Sequence, residues 1–296
     1  MTTLATDPAV VPGGMERTLS RVLPDGGLIE FESAPAGYLT KKGTPRQVDW
    51  RAYHFTPPGG KRTRFVSTTT LLDDICPKDG LPPWAEARGI EGAGTAMRAG
   101  EVSGDTDPER AVEIVRTLKL GADAAKTKAA DRGLNVHALL EDYMRTGTPP
   151  TLGGHPVEHH GYITALSAWL LSRQPEPVAI EQLVVHPEDG YAGRLDLRAR
   201  IGGRLITVDV KTQERAGIYR GAHLQVGLYE RAAIKCGDEP ADGQLVVVFA
   251  ADGQWREMPA DHEPWVIDAA LLFYRACKPI DSVCESLNRR ERQARA

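Results

Sequence analysis

Residues 178–212 constrain the fold of this chain more than any other stretch. Residues 191–201 and 204–212 alternate apolar and polar side chains, which is the strand period. Gly202-Gly203 between them is a two-residue hairpin signal. Pairing Ile201 with Arg204 and counting back puts Asp196 opposite Asp209. The loop Pro187-Glu188-Asp189-Gly190 permits a second hairpin with His186 opposite Tyr191, and the same count puts Glu181 opposite Asp196. Glu181, Asp196 and Asp209 then stand in one row across three strands. The second register is the weaker step, because a bulge would turn Glu181 to the other face.

Such a row needs compensation. Directly opposed side chains lie roughly 4.5–5.5 Å apart at Cβ, and like charges there destabilise a sheet. A divalent cation is the simplest remedy, since a hard ion such as Mg²⁺ takes oxygen ligands together with waters and substrate phosphate. Lys211 shares the face of Asp209, two residues away. An ammonium beside a metal orients water or stabilises developing negative charge. Asp-x-Lys by itself recurs by chance roughly once in a few hundred residues, and exposed strands often carry Asp and Lys as a solvated face. The signal lies in the coincidence of Asp196, Asp209 and Lys211 about one Gly-Gly turn.

The 296 residues carry a net charge of −4, so no global basic field points to nucleic acid, and such a partner would need a local basic groove. No run of 18 apolar residues suggests a membrane span, and the N-terminus has no basic-then-apolar leader pattern, so the expected location is cytoplasmic. Cys76, Cys236, Cys277 and Cys284 form no Cys-x-x-Cys pair, so ordinary thiols are expected rather than an iron–sulfur cluster.

The expected organisation is a loose segment at 1–20, an N-terminal extension with strands at 21–115, a core at 116–290 and a basic tail at 291–296. Ser67 caps a helix start, and Asp107-Pro108 starts another. Residues 85–104 give no firm periodicity. Helices are expected over 122–145, 157–172, 220–235, 263–276 and 280–290, with a buried strand at 244–250. His137 and Glu141 lie one turn apart on the first of these helices. The core order is helix, three strands, helix, strand.

Gly193-Arg-Leu-Asp196, Val208-Asp-Val-Lys-Thr212, Gln225-Val-Gly-Leu-Tyr229 and Gly133-Leu-Asn-Val-His137 together resemble the RecB-type branch of the PD-(D/E)XK nuclease superfamily. Ser67-Thr-Thr-Thr-Leu-Leu72, with Leu81 and Trp84 behind it, looks like the N-terminal portion of phage-encoded members. The resemblance covers about residues 67–249 and implies an α/β fold: a restriction-endonuclease-like core, with a mixed β-sheet flanked by helices, and a β-containing extension. It implies a Mg²⁺- or Mn²⁺-dependent deoxyribonuclease, an exonuclease in recombination, repair or phage replication, with DNA and a separate recombination or replication protein as partners. His137, Asp196, Asp209 and the Val210 carbonyl would hold the metal, and Lys211 would assist the attacking water. Gln225 and Tyr229 would orient the lysine and the DNA backbone, and Glu181 matches an acidic position of some members. Asp-Val-Lys departs from the commoner Asp-Tyr-Lys, and no Walker-type helicase motif accompanies the core. A structure-specific endonuclease of the same fold, or a DNA-binding or recruitment module without catalysis, remains the alternative. Arg194, Arg198, Arg215, Arg220, Lys126 and Lys128 are groove candidates or, equally, a solvated charged surface.

Overall fold

The computed structural model describes residues 17–34, 50–76, 81–215, 217, 219–260 and 263–295. In chain order the elements are β1 (Arg17–Val22), β2 (Leu28–Ala34), β3 (Trp50–Thr56), β4 (Thr63–Ser67), α1 (Thr68–Ile75), α2 (Leu81–Arg98), α3 (Pro108–Thr117) and α4 (Ala122–Thr146). A 3₁₀ turn at Val157–His159 leads into α5 (His160–Arg173). Then come β5 (Glu176–His186), β6 (Tyr191–Ile201), β7 (Arg204–Gln213), α6 (Arg220–Lys235), β8 (Gly243–Ala250), β9 (Trp255–Pro259) and α7 (Pro264–Arg295).

Local chemistry sets several boundaries. The Ser67 hydroxyl accepts from the Thr70 N–H and starts α1, and the Asp107 carboxylate accepts from Glu109 and Arg110 to start α3. Gly147 closes α4 in the left-handed conformation. Gly202 and Gly203 both take positive φ, which the tight turn between β6 and β7 requires. Both predicted registers are present: Ile201 pairs with Arg204, and His186 with Tyr191. A bulge does occur in β5, between Pro177 and Ala179, past Glu181. The pairs on either side, Gln182 with Leu195 and Ile180 with Leu197, therefore keep Glu181 opposite Asp196.

All nine strands join one mixed sheet. β5 covers one edge of β6 along its length, so β4 and β7 must share the other edge. β4 runs parallel to β6 and pairs only at Tyr191 and Ala192, while β7 runs antiparallel and pairs from Leu197 to Ile201. Between these two contacts the β6 edge has no strand partner, and Gly193, Arg194 and Asp196 lie in that fork.

Helices cover both faces. Val136, Leu140, Leu166 and Trp169 of α4 and α5 pack on Leu197, Val208, Val210 and Phe249. On the opposite side Leu224 and Leu228 of α6, Leu71 of α1 and Leu271 of α7 pack with Leu195, Tyr191 and the N-terminal sheet residues Ile29 and Phe31. The architecture is thus a large mixed α/β sheet between helical layers, consistent with a restriction-endonuclease-like core. No helix among the described residues is long and apolar enough to cross a membrane.

Some expectations need correction. Residues 17–20, placed in the loose segment, belong to β1, whereas 1–16 and 35–49 lie outside the described residues. Residues 85–104, left without periodicity, fall mainly in α2, whose small residues bury only Gly92 and Ala96 and so leave no apolar stripe. The two C-terminal helices are one, α7, which continues through Pro279 and takes in 291–295 of the expected basic tail. Proline removes its own N–H donor without necessarily ending a helix. Alternation in β6 and β7 is likewise not that of a half-exposed sheet. Asp196, Arg198, Thr207 and Asp209 are buried, because helices cover both faces.

Candidate active site

The fork in the sheet gathers the polar residues. From α4, His137 reaches in, and its Nδ1 lies 3.2 Å from Glu181 Oε1 and 3.6 Å from Asp196 Oδ1. One ligand atom from each of His137, Glu181 and Asp196 lies within 4.8 Å of the others. The β6–β7 ladder ends at Leu197 and Val208, and there the Asp196 side chain replaces a backbone acceptor: the Val210 N–H donates to Asp196 Oδ2 at 2.7 Å. Lys211 Nζ donates to Asp209 Oδ1 at 2.8 Å and lies 2.6 Å from Oδ2.

Charge is concentrated and poorly solvated here. Burial opposes protonation of His137, but Asp196 and Glu181 outweigh it and push the imidazole up to about 9. A protonated Nδ1–H donates to Glu181 Oε1. Burial also pushes the Asp209 carboxyl up, to about 6; Lys211 pulls it back and Asp196 adds to the rise. Burial would lower the Lys211 ammonium, yet Asp209 and Asp196 hold it above its ordinary value. Burial raises the Tyr229 hydroxyl well above its ordinary value, with Asp196 adding to the rise.

Glu181 occupies a strained backbone. Its φ is +48° in the middle of β5, a region that disfavours side chains with a Cβ by roughly 1–2 kcal/mol. Its carboxylate is held in return: Arg194 Nε lies 2.7 Å from Oε2, on the side away from His137. Both Glu181→Gly and Glu181→Ala lose these contacts. Urea unfolding is expected to find the glycine variant the more stable of the two by about 1 kcal/mol, against the usual preference for alanine in a strand. Equal stabilities would show that the backbone there is not strained.

Behind the acids, α6 supplies Gln225 and Tyr229. Gln225 Nε2 donates to the Tyr229 hydroxyl at 2.9 Å. The Tyr229 ring fills the fork against Gly193, where an added Cβ would stand 2.5 Å from the ring and 2.8 Å from the Thr68 hydroxyl. Thr68 is itself tied to the Ala192 carbonyl at 3.1 Å. Only glycine therefore fits three residues before Asp196. Gly193→Ala is expected to destabilise the fold by about 1–3 kcal/mol and to displace Tyr229, which thermal unfolding and tyrosine fluorescence would detect. On the far side of Tyr229, buried Glu230 accepts from the Thr207 hydroxyl at 2.5 Å and pairs with Arg198 at 3.3 Å, fixing α6 to β6 and β7.

The structure thus brings together His137, Glu181 and Asp196, with Lys211, Asp209, Gln225 and Tyr229 around them. It departs from a simple row at Asp209, whose carboxylate faces Lys211 rather than completing the three-residue group, since a buried acid takes the nearest cation. Val210 meets the cluster through its N–H. Glu141, one turn beyond His137, pairs with Arg145 at 2.7 Å instead. Arg198, a groove candidate, is a buried structural partner of Glu230. The Arg194–Glu181 pair and the Arg198–Glu230 pair had no signal in the sequence beyond strand parity.

The donor set fits a divalent cation. It offers one imidazole and two carboxylates in reach of each other, and fully buried Asp209 Oδ2 receives no well-directed hydrogen bond.

No family model matches the chain, and no curated protein matches it. Among solved structures it is similar to an alkaline exonuclease (LHK-Exo) from Laribacter hongkongensis, at 14% identity over 54% of this chain and 86% of that one, with a TM-score of 0.29. A likeness that remote carries no argument about chemistry, and the candidate site rests on the chain's own geometry.

Proposed function

We propose that the chain is a divalent-metal-dependent deoxyribonuclease of the RecB-type kind, acting as an exonuclease on DNA ends. The observation that carries this reading is the convergence of His137, Glu181 and Asp196 in one ligand group beside the buried Asp209–Lys211 pair. A bound Mg²⁺ or Mn²⁺ would neutralise phosphodiester charge and make water a better nucleophile at neutral pH. His137, Glu181, Asp196, Asp209 and the Val210 carbonyl are the groups that would hold it. Lys211 carries its proton at neutral pH and would steer the attacking water and offset charge on the phosphate. Tyr229, with its hydroxyl fixed by Gln225, would orient the lysine and the DNA backbone. An imidazole in the donor set favours Mn²⁺ over Mg²⁺.

The test is cleavage of end-labelled linear and closed circular DNA, single- and double-stranded, in Mg²⁺, Mn²⁺ or chelator, with Asp209→Ala alongside. Expected are loss of linear DNA only, activity at lower Mn²⁺ than Mg²⁺ concentration, and none in chelator or in the variant. Cutting of circles would mean an endonuclease. Undiminished cutting in chelator would sink the metal reading, and binding without cleavage under any metal would leave a DNA-binding module.

A further inference from the structure

A cleft of about 560 Å³ opens where the N-terminal sheet meets β6. Arg51 and Arg194 line it together with the rings of Phe31, Tyr53 and Phe65, Arg64 borders it from the other face of the sheet opposite His54, and no acidic residue is among its lining residues. Glu30 and Glu32, the acids of β2, are engaged by Arg62. Ser67, Thr69 and Thr70, at the start of α1, line the same cleft with their hydroxyls hydrogen-bonded to one another, and the first turn of that helix carries no acid. A helix N-terminus with hydroxyls and arginines nearby attracts phosphate oxygens.

Arg194 joins this cleft to the acidic cluster. Its Nε contacts Glu181 at 2.7 Å, and its guanidinium stands 5.7 Å from the centre of the Phe31 ring. An arginine has five N–H donors in a fixed fork, so one edge can hold Glu181 while the others face a phosphate. The cleft lies within the roughly 300–1,000 Å³ range of small-ligand pockets, which suits a nucleotide or two and is too small for a duplex. Positive charge interleaved with aromatic rings is the chemistry that holds a single strand.

We infer that this cleft binds a single DNA strand next to the cluster, with Arg51 holding its phosphates and Arg194 as the positioning residue that sets the strand's register against Glu181. The inference rests on the reading of the cluster as the centre that cuts DNA. The N-terminal extension then holds the strand whose end is being processed.

The test uses the full chain in chelator, where no cleavage is expected, and a fluorescein-labelled short oligothymidylate read by anisotropy. Arg51→Ala changes an exposed residue outside the cluster. It is expected to weaken strand binding about tenfold or more. The slope of log affinity against log salt is expected to fall by about 0.7, a change that a merely structural role would not produce. Arg194→Lys keeps the charge and loses the fork and, assayed for cleavage in Mn²⁺ instead, is expected to raise KM for single-stranded substrate. Wild-type affinity and salt slope in Arg51→Ala would overturn the inference, as would tighter binding of a blunt duplex than of the single strand. A protein that cuts DNA with metal but fails these tests keeps the nuclease reading and loses the cleft. One that passes them and cuts under no metal does the reverse.

Discussion

Asp209→Asn is expected to lower DNA cleavage about a thousandfold or more, a loss typical of removing a preorganised charge at the reacting centre, and to weaken the fold as well. Asp209 is fully buried, and its carboxylate is the close partner of Lys211. Removing one member of a buried pair costs about 3–5 kcal/mol, because the other charge is left stranded. The Lys211 side chain is 29% exposed, so water recovers part of that and about 2 kcal/mol is expected. Asp209→Asn/Lys211→Met removes both charges and is expected to regain most of the stability while remaining inactive. Urea unfolding beside a nuclease assay separates the two effects. An active Asp209→Asn protein would remove Asp209 from the chemistry, and a double variant weaker than the single would show that the pair stabilises the fold in its own right.

The second large effect is in pH. His137 is raised from its ordinary 6.5 to about 9. A group raised in the folded state contributes stability that is fully present below its unfolded value and is lost as pH climbs through the folded one. Metal-free protein is therefore expected to lose on the order of 2 kcal/mol between pH 6.5 and pH 9, and His137→Asn to flatten that slope. Metal affinity should run the other way, because an imidazole must shed its proton to ligate. Mn²⁺ binding followed by calorimetry is expected to tighten by up to about tenfold per pH unit across that window and then level off. A flat affinity profile in the wild-type chain would mean that His137 does not ligate.

The sequence disclosed the two hairpins because each turn had a signature, Gly202-Gly203 and Pro187-Glu188-Asp189-Gly190, and strand parity did the rest. The Ser67 cap was legible for the same reason, and α6 was legible from the apolar line of Leu224, Leu228 and Ala232, which are buried. What was hidden depended on distant partners. Nothing in the sequence marks Glu181 for positive φ, since glycine or asparagine would be the expected signal. The turn of Asp209 toward Lys211, the grip of Arg194 on Glu181 and the cleft under β4 all arise from contacts between separate elements. α2 stayed unread because its alanines and glycines bury almost nothing, and burial is what writes periodicity into a helix.

The fork in β6 also bears on how the chain is made. β4 leaves its hairpin early, yet its partner edge on β6 comes much later, since Thr68 and Ala192 stand 124 residues apart. A ribosome delivers the N-terminal strands first, and their last member then waits with open backbone groups until the core closes. Two ladder pairs, with the Thr68 hydroxyl beside them, join it to β6 when that strand arrives. A chain cut short before residue 191 would carry that bare edge permanently, with neighbouring copies as its only pairing partners.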